Sequence, residues 1–244
     1  METVKTKDRA AFKVAFITGA TIFIMGYMNA LALHTEQLSK MVTPQTGNVV
    51  WMGVYPVFGN WAAWGSALLL FFGFVFGCGF AVMTNKLFPN KTKQFFFNWL
   101  LFALPAGLYP FYMPFINSQV AFLMMGLSAG FGVGFFRIMY HLDQINNAMA
   151  TGSVRFIGVF FAEVFLKKNK KETFTFILFV ICVLLFALGG TAFAIAVSLD
   201  IAQGMAVRTG VGNVINIETI SFVNIVLLVS CIIPMFFAPK NKAS

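Results

Sequence analysis

Long stretches without a charged residue place the strongest limit on what this chain can fold into. The five longest cover residues 14–33, 41–85, 94–136, 173–199 and 219–239, and contain 20, 45, 43, 27 and 21 residues. A membrane-spanning helix needs about 20 predominantly apolar residues, so each stretch can supply at least one crossing. Only 10% of the residues are charged, compared with about 25% in soluble domains. The sequence therefore predicts an integral membrane protein that is embedded in, and interacts with, the lipid bilayer.

The uncharged stretches predict a single all-α transmembrane domain with six spanning helices. We place these helices at residues 14–33, 61–84, 95–113, 119–136, 173–199 and 219–238. If the N-terminus is cytoplasmic, 15 of the 17 basic residues fall on the cytoplasmic side, and only Lys40 and Arg208 fall outside. The positive-inside rule accounts for this distribution. We therefore expect a multi-pass plasma-membrane protein with both termini in the cytoplasm, and the net charge of +9 does not indicate binding to nucleic acid.

A polar motif that occurs twice indicates an internal duplication. Thr-Gly-Asn-Val-Val-Trp-Met-Gly-Val at residues 46–54 matches Thr-Gly-Ser-Val-Arg-Phe-Ile-Gly-Val at residues 151–159 with identical spacing. Each copy follows a His-x-acid-Gln segment, at residues 34–37 and 141–144, which contain the only two histidines of the chain. Related halves of a membrane protein usually place a shared motif at a common working site. We therefore predict a first repeat at about residues 14–117 and a second at about 118–238.

The two repeats are predicted to be inverted relative to each other. Each half contains three of the six expected spans, and an odd number of spans requires the second half to enter the membrane from the opposite side. This arrangement is typical of transporters, because two inverted halves offer equivalent surfaces to both compartments.

Both Thr-Gly segments are predicted to be re-entrant half-helices. The uncharged stretch 41–85 is too long for one span, but a half-length helix at 46–58, a turn at Gly59-Asn60 and a full helix at 61–84 fit it well. The matching segment 151–166 is too short to cross and runs into the lysines of residues 167–171, which must stay in the cytoplasm. Thr46 and Thr151 are natural N-caps. Irregular backbone at membrane depth is tolerated where it is buried in protein or lines a watery cavity.

The starts of the two half-helices form the candidate binding site for a small polar or anionic solute. The expected site residues are Thr46, Gly47, Asn48, Thr151, Gly152, Ser153 and Arg155. Helix N-termini present free N–H groups and a partial positive charge, which favour anionic or dipolar ligands. An arginine at mid-depth is costly unless it meets a carboxylate or an anionic ligand, so Arg155 is the candidate for charge selectivity. The alternatives are that the Thr-Gly pairs simply terminate a helix where the chain must turn, and that Arg155 reaches the cytoplasm from a shallow half-helix.

A second group of polar residues provides candidates for gating or proton relay. Its members are Asn29, His34, Glu36, His141 and Asp143. Histidine titrates near neutral pH, but residues two apart do not share a helix face, so each His–acid pair needs unwound backbone to meet. The alternative places the histidines and acids at the membrane–water boundary, with Asn29 and Asn98 in helix–helix hydrogen bonds. We expect no metal site, because the two His–acid sets start on opposite sides of the membrane, and we expect no cofactor.

Glycines at residues 73 and 77, and at 126, 130 and 134, form small-xxx-small faces. Such faces let the backbones of two membrane helices approach closely. We therefore predict that these glycines lie in helix–helix contacts and have a packing role.

Familiar catalytic motifs do not occur in the sequence. There is no His-Glu-x-x-His, no Gly-x-Ser-x-Gly and no phosphate-binding loop, so we do not expect an enzyme. Two alternatives to transport stay open: an intramembrane enzyme that acts on a lipid or quinone through the His–carboxylate pairs, and a membrane sensor that transports nothing. A homo-oligomer is compatible with the sequence.

The motifs are similar to those of one bacterial family. Gly26-Tyr27-Met28-Asn29-Ala30, followed by Gln45-Thr46-Gly47-Asn48-Val49 and by the second Thr-Gly pair at 151–152, resembles the YoaK-like membrane proteins. The resemblance covers nearly the whole chain. It implies a six-span protein of the bacterial inner membrane that transports a small molecule of unassigned identity.

Overall fold

The structure is a computed structural model that describes residues 2–34, 42, 45–88, 90–109, 115–140, 170–208, 215–217 and 221–238. These residues are almost entirely helical, which confirms the predicted all-α class. The helices are α1 (Glu2–His34), α2 (Gln45–Val57), α3 (Trp61–Leu87), α4 (Lys91–Gly107), α5 (Ser118–Tyr140), α6 (Lys170–Ala202) and α7 (Phe222–Ile232). A 3-10 turn, Ile233–Phe237, continues α7.

Three of the described helices are long and apolar enough to cross a membrane. The qualifying stretches are Ala15–His34 in α1, Trp61–Thr84 in α3 and Val180–Ala202 in α6, and shorter apolar stretches cover Gln119–Gly134 and Phe222–Phe237. Several bulky apolar side chains on these helices are exposed, including Phe76 on α3 and Leu188 on α6. Large exposed apolar surfaces of this kind mark contact with a membrane or another protein.

Helix α4 differs from the span predicted at 95–113. It begins at Lys91, because the side chain of Asn90 caps its first turn by accepting hydrogen bonds from the backbone N–H groups of Thr92 and Lys93. It ends at Gly107, six residues before the predicted end. Pro105 lies in its last turn and Pro110 follows shortly after, and a proline disfavours helical backbone at the residue before it.

Helices α3 and α5 pack backbone to backbone through glycine. The contacts join Gly73 to Gly126, Gly77 to Gly130 and Ala81 to Gly134. A Cβ atom added to Gly73 would lie 2.5 Å from the carbonyl oxygen of Leu123, so a larger residue does not fit. Residue numbers increase in the same direction along both helices, which are therefore parallel. The predicted small-xxx-small faces are confirmed, and they face each other.

Helices α1 and α6 form a second parallel pair, and glycines again allow their backbones to approach closely. Gly26 lies against the backbone of Phe186, and Gly189 lies against the backbone of Phe23. Farther along both helices, the Tyr27 ring centroid lies 5.6 Å from that of Phe193, and the His34 ring also stacks on Phe193. Because contacts advance from Gly19 against Leu185 to Tyr27 and His34 against Phe193, α1 and α6 run in the same direction.

Helix α7 and the turn that follows it run antiparallel to α1. Near the start of α7, the Tyr27 hydroxyl donates a hydrogen bond of 2.6 Å to the Val223 carbonyl. At the other end, the Lys13 ammonium group donates to the Ala238 carbonyl at 3.5 Å, and the ring centroids of Phe16 and Phe237 are 4.2 Å apart. The first turns of the apolar part of α1 and the end of the 3-10 turn therefore lie at the same end of the helix bundle.

Helix α4 fills the centre of the bundle. Trp99 is fully buried, and its indole N–H donates a hydrogen bond of 2.8 Å to the Cys231 carbonyl on α7. Gly107 packs on Leu228, so α4 and α7 are antiparallel. The Ser128 hydroxyl of α5 donates to the Phe102 carbonyl at 2.5 Å. The largest aromatic side chains of α4 thus hold the other helices around one apolar core.

A short β-ribbon between α6 and α7 was not predicted. Its strands, β1 (Ala206–Arg208) and β2 (Ile215–Ile217), pair antiparallel with Val207 opposite Asn216. The chain leaves α6 through Gly204, whose φ of 73° lies in the left-handed region that glycine tolerates best. Strands of three residues are too short to produce a readable alternation of apolar and polar residues.

Candidate functional site

Helix α2 is too short to cross a bilayer. The chain just before it contacts α1 within the helix and not at the helix end. Its 13 residues rise about 20 Å, less than the hydrocarbon thickness of about 30 Å. The backbone N–H of Val42, three residues before α2, donates a hydrogen bond of 2.9 Å to Oδ1 of Asn29. Asn29 lies five residues before the end of α1, so the chain returns by about 7.5 Å along the axis of α1 before α2 starts.

Asn29 holds this returning segment in place. Its side chain is buried, its Nδ2 donates to the Met25 carbonyl at 2.9 Å, and its Oδ1 accepts from Val42. A buried backbone N–H without an acceptor is costly, so the asparagine stabilises the backbone at Val42. The sequence suggested a gating role or a helix–helix hydrogen bond for Asn29. The structure shows a hydrogen bond between Asn29 of α1 and the residue three positions before α2, and the gating role stays a prediction.

The first Thr-Gly-Asn motif lies in the first turn of α2. The helix begins at Gln45, so Thr46 is its second residue and does not occupy the N-cap position that the sequence predicted. The first turn of the helix still includes Thr46 and Gly47, at positions where backbone N–H groups have no intrahelical acceptor, and it also includes Asn48. Asn48 is only 4% exposed, whereas Val50 is 62% exposed. The first turn therefore directs its asparagine into the protein and its next residues outward.

The turn that joins α2 to α3 matches the prediction closely. Gly59 has a φ of 69°, and its N–H donates to the Pro56 carbonyl at 3.0 Å. The side chain of Asn60 then caps α3 by accepting a hydrogen bond from the Ala63 N–H. Because glycine adopts this backbone conformation without strain, the chain reverses direction within a few residues and α2 packs on α3.

His34 lies at the end of α1 and is partly buried. Its imidazole stacks on Phe193 of α6, with ring centroids 5.8 Å apart and an interplanar angle of 17°. The other predicted site residues lie outside the described part of the chain: Glu36, His141, Asp143, Thr151, Gly152, Ser153 and Arg155. The structure therefore places Asn29 next to the segment that enters α2, and it leaves the pairing of His34 with Glu36 as a prediction.

A buried carboxylate that the sequence analysis did not single out joins three helices. Asp200 of α6 is fully buried, and its two oxygens accept hydrogen bonds from the Phe222 N–H at 2.6 Å and the Val223 N–H at 3.0 Å. These N–H groups lie at the positive end of α7, which compensates the negative charge. Since the Tyr27 hydroxyl binds the carbonyl of the same Val223, helices α1, α6 and α7 meet at one residue.

The junction between α3 and α4 is closed by uncharged side chains. Thr84 is buried and its hydroxyl donates to Oδ1 of Asn98 at 2.8 Å, while Nδ2 of Asn98 donates to the Gln94 carbonyl at 2.8 Å. The expected helix–helix hydrogen bond of Asn98 is confirmed. The two helix junctions therefore differ in charge, because an aspartate closes the α6–α7 junction and a threonine closes the α3–α4 junction.

Comparison with known proteins adds a family and no activity. Neither the curated proteins nor the solved structures contain a match to the chain. A family model described as "Protein of unknown function (DUF1275)" matches residues 9–215, from the first turns of α1 to the start of β2. Because this match takes in most of the sequence and both copies of the Thr-Gly motif, the chain belongs to the DUF1275 family.

Proposed function

We propose that this protein is a transporter or channel for a small polar or anionic solute, built from six membrane-spanning helices in two inverted repeats. The first repeat would comprise α1, α3 and α4, and the second α5, α6 and α7. Each repeat would add one re-entrant half-helix, α2 in the first and the segment 151–166 in the second. The resemblance to the YoaK-like proteins favours the same architecture.

The pairing of the helices is the observation that carries the proposal. Exchanging the two repeats converts the pair α1/α6 into the pair α5/α3. Both pairs are parallel, and both close on glycine, at Gly26 and Gly189 in one and at Gly77 and Gly130 in the other. The same exchange converts α4 into α7 and α7 into α4, so their antiparallel contact is unchanged. Two halves related by a pseudo-two-fold axis require this pattern.

Helix directions agree with six crossings. Starting from α1, the directions of α3, α4, α5, α6 and α7 alternate, because α3 and α4 form a hairpin, α5 is parallel to α3, and α6 is parallel to α1. The contact of Lys13 with Ala238 keeps the beginning of α1 and the end of the last helix at one end of the bundle. That end also carries most of the basic residues of the described helices, so the positive-inside rule would assign it to the cytoplasm of a bacterial inner membrane.

The binding site would lie between the starts of the two half-helices. In the first repeat, Asn29 accepts a hydrogen bond from Val42, three residues before α2, and Asn48 is buried in the first turn. Thr46 and Gly47 would present backbone N–H groups to the solute, opposite Thr151, Gly152 and Ser153 of the second repeat. Arg155 would tune charge selectivity. His34, Glu36, His141 and Asp143 would flank the site as gates or proton carriers.

Solute flux into proteoliposomes tests this function. We expect the purified protein to raise the uptake of at least one member of a panel of small polar and anionic solutes above that of empty liposomes. Thr46→Trp is expected to abolish this uptake, because the indole would fill the space at the start of α2. Thr191→Trp is the matched control, since Thr191 is exposed on α6 and its hydroxyl donates to the Ala187 carbonyl of its own helix. Uptake that Thr46→Trp leaves unchanged would contradict the site.

A further inference from the structure

One face of α1 is buried along its length although it carries polar side chains. The residues of this face are Thr18, Thr21, Ile22, Met25, Met28, Asn29 and Ala32, which share one side of the helix and are all buried. The face is distinct from the one that packs on α6, where Gly26 and Phe23 lie. It carries no charge, and the Met25 thioether methyl lies beside Gly132 of α5.

The hydroxyl of Thr18 on this face is buried without a hydrogen bond. The residue is 7% exposed, and its Oγ1 has no hydrogen-bond partner among the described residues. The hydroxyl of Thr21 next to it donates to the Ile17 carbonyl at 2.9 Å, the bond that a threonine in a helix usually makes. A buried hydroxyl without a partner is costly, so Thr18 requires a reason beyond packing.

The position of Thr18 relates it to the proposed site. Thr18 and Asn29 are eleven residues apart on the same face, which corresponds to about 16 Å along the helix axis. Asn29 lies at the level where the chain enters α2. The face therefore extends from the start of the first half-helix towards the cytoplasmic half of the membrane.

We propose that this face of α1 forms a wall of the solute path, and that the Thr18 hydroxyl donates a hydrogen bond to a small, uncharged polar solute that carries an oxygen acceptor. The inference rests on the proposed transport function and narrows its substrate class. An uncharged solute fits the face because its side chains are hydroxyl, amide, thioether and aliphatic groups. The face carries no charged side chain that could compensate an anion.

Cysteine accessibility tests the location of Thr18 without knowledge of the solute. In a background in which Cys78, Cys182 and Cys231 are replaced by alanine, Thr18→Cys in proteoliposomes is treated with a small cationic methanethiosulfonate reagent. The matched control is Ile17→Cys, at nearly the same depth, whose apolar side chain is 1% exposed and needs no polar partner. We expect the Thr18→Cys thiol to react at least about ten-fold faster, because thiolate chemistry requires contact with water. Equal, slow reaction of both variants would overturn the proposal.

Thr18→Val tests the role of the hydroxyl at nearly constant shape. In the purified, solute-free protein we expect an unchanged or higher melting temperature, whereas Thr21→Val, which removes an existing hydrogen bond, is expected to lower it. Thr18→Val is also expected to slow glycerol or urea entry several-fold in stopped-flow light scattering. A melting temperature that falls as far as in Thr21→Val would show a structural partner for Thr18 and overturn the proposal.

The two proposals fail in different ways. A reactive Thr18→Cys variant in proteoliposomes that pass no solute would refute transport and keep the watery face of α1. Flux that survives Thr18→Val, together with an unreactive Thr18→Cys variant, would keep transport and remove Thr18 from the path.

Discussion

At the scale of single residues, Asp200 stabilises the meeting point of three helices. Its carboxylate accepts hydrogen bonds from two backbone N–H groups in the first turn of α7, which have no acceptor within that helix. We expect Asp200→Ala to lower the free energy of unfolding by about 1–3 kcal/mol, because it removes a helix cap and leaves buried N–H groups unpaired. Asp200→Asn is expected to lose less, since its amide oxygen can still accept one bond.

The effect of Asp200 can be measured by denaturation of the purified protein in detergent. Ser198→Ala is the matched control, because Ser198 is exposed two residues earlier on α6 and its hydroxyl donates to the Ala194 carbonyl of its own helix. Equal stability of Asp200→Ala and Ser198→Ala would show that the carboxylate does not hold α7.

The role of a single residue was predictable from the sequence where its chemical type alone requires a hydrogen bond with a neighbouring helix. A buried amide in an apolar span needs a hydrogen bond, so a helix–helix bond for Asn98 was predictable, and Thr84 supplies it. Asp200 was not predictable in the same way. It ends an uncharged stretch and thus resembles a boundary residue, while its partners lie 22 and 23 residues later, beyond a β-ribbon that short sequence patterns do not reveal.

At the scale of helices and strands, close glycine contacts decide which surfaces can meet. Gly77 of α3 lies against the Leu127 carbonyl of α5, whereas nothing described lies within 4 Å of a Cβ added to Gly79, two residues later. We expect Gly77→Leu to separate α3 from α5 and yield aggregated or unfolded protein, and Gly79→Leu to remain folded. Size-exclusion profiles and melting temperatures in detergent measure the difference.

The α1–α6 pair allows the same comparison between a glycine inside the interface and one outside it. Gly189 of α6 lies against the Phe23 carbonyl of α1, and no described atom lies within 4 Å of a Cβ added to Gly190. The inverted-repeat proposal requires the two pairs to behave alike, so Gly189→Leu should be disruptive and Gly190→Leu tolerated. If Gly189→Leu and Gly190→Leu behaved alike, the α1–α6 and α3–α5 interfaces would not be equivalent, which would contradict the inverted-repeat proposal.

Helix boundaries were predictable where chain length and turn chemistry act together. The half-length helix followed by Gly59-Asn60 was derived from a stretch too long for one span, and α2 and α3 match it. The early start of α4 was also readable, since Asn90 is a strong N-cap residue. The β-ribbon was not predictable, because its strands have three residues each and gain stability from pairing with each other.

At the scale of the whole molecule, the odd number of predicted spans in each half was enough to propose inversion, and the alternating helix directions agree with it. The sequence alone could not give the pairing of helices, because many small residues in apolar helices offer similar packing surfaces. The contacts of Gly26 and Gly77 select α6 and α5 as partners. The physical reason is shape complementarity, which depends on three-dimensional register rather than on composition.

The sidedness of the turn between α2 and α3 distinguishes a re-entrant helix from a spanning one. If α2 enters and leaves on the outer side, Asn60 faces the exterior and Thr92, at the start of α4, faces the cytoplasm. If α2 crossed the membrane, Asn60 would lie in the cytoplasm and the directions of all later helices would reverse.

We therefore expect Asn60→Cys, in the cysteine-free background, to react in intact cells with a membrane-impermeant maleimide. Thr92→Cys should react only after the cells are permeabilised. Labelling of Thr92→Cys in intact cells would contradict the six-span topology, because an exposed Thr92 would place the lysines around it outside, against the positive-inside rule.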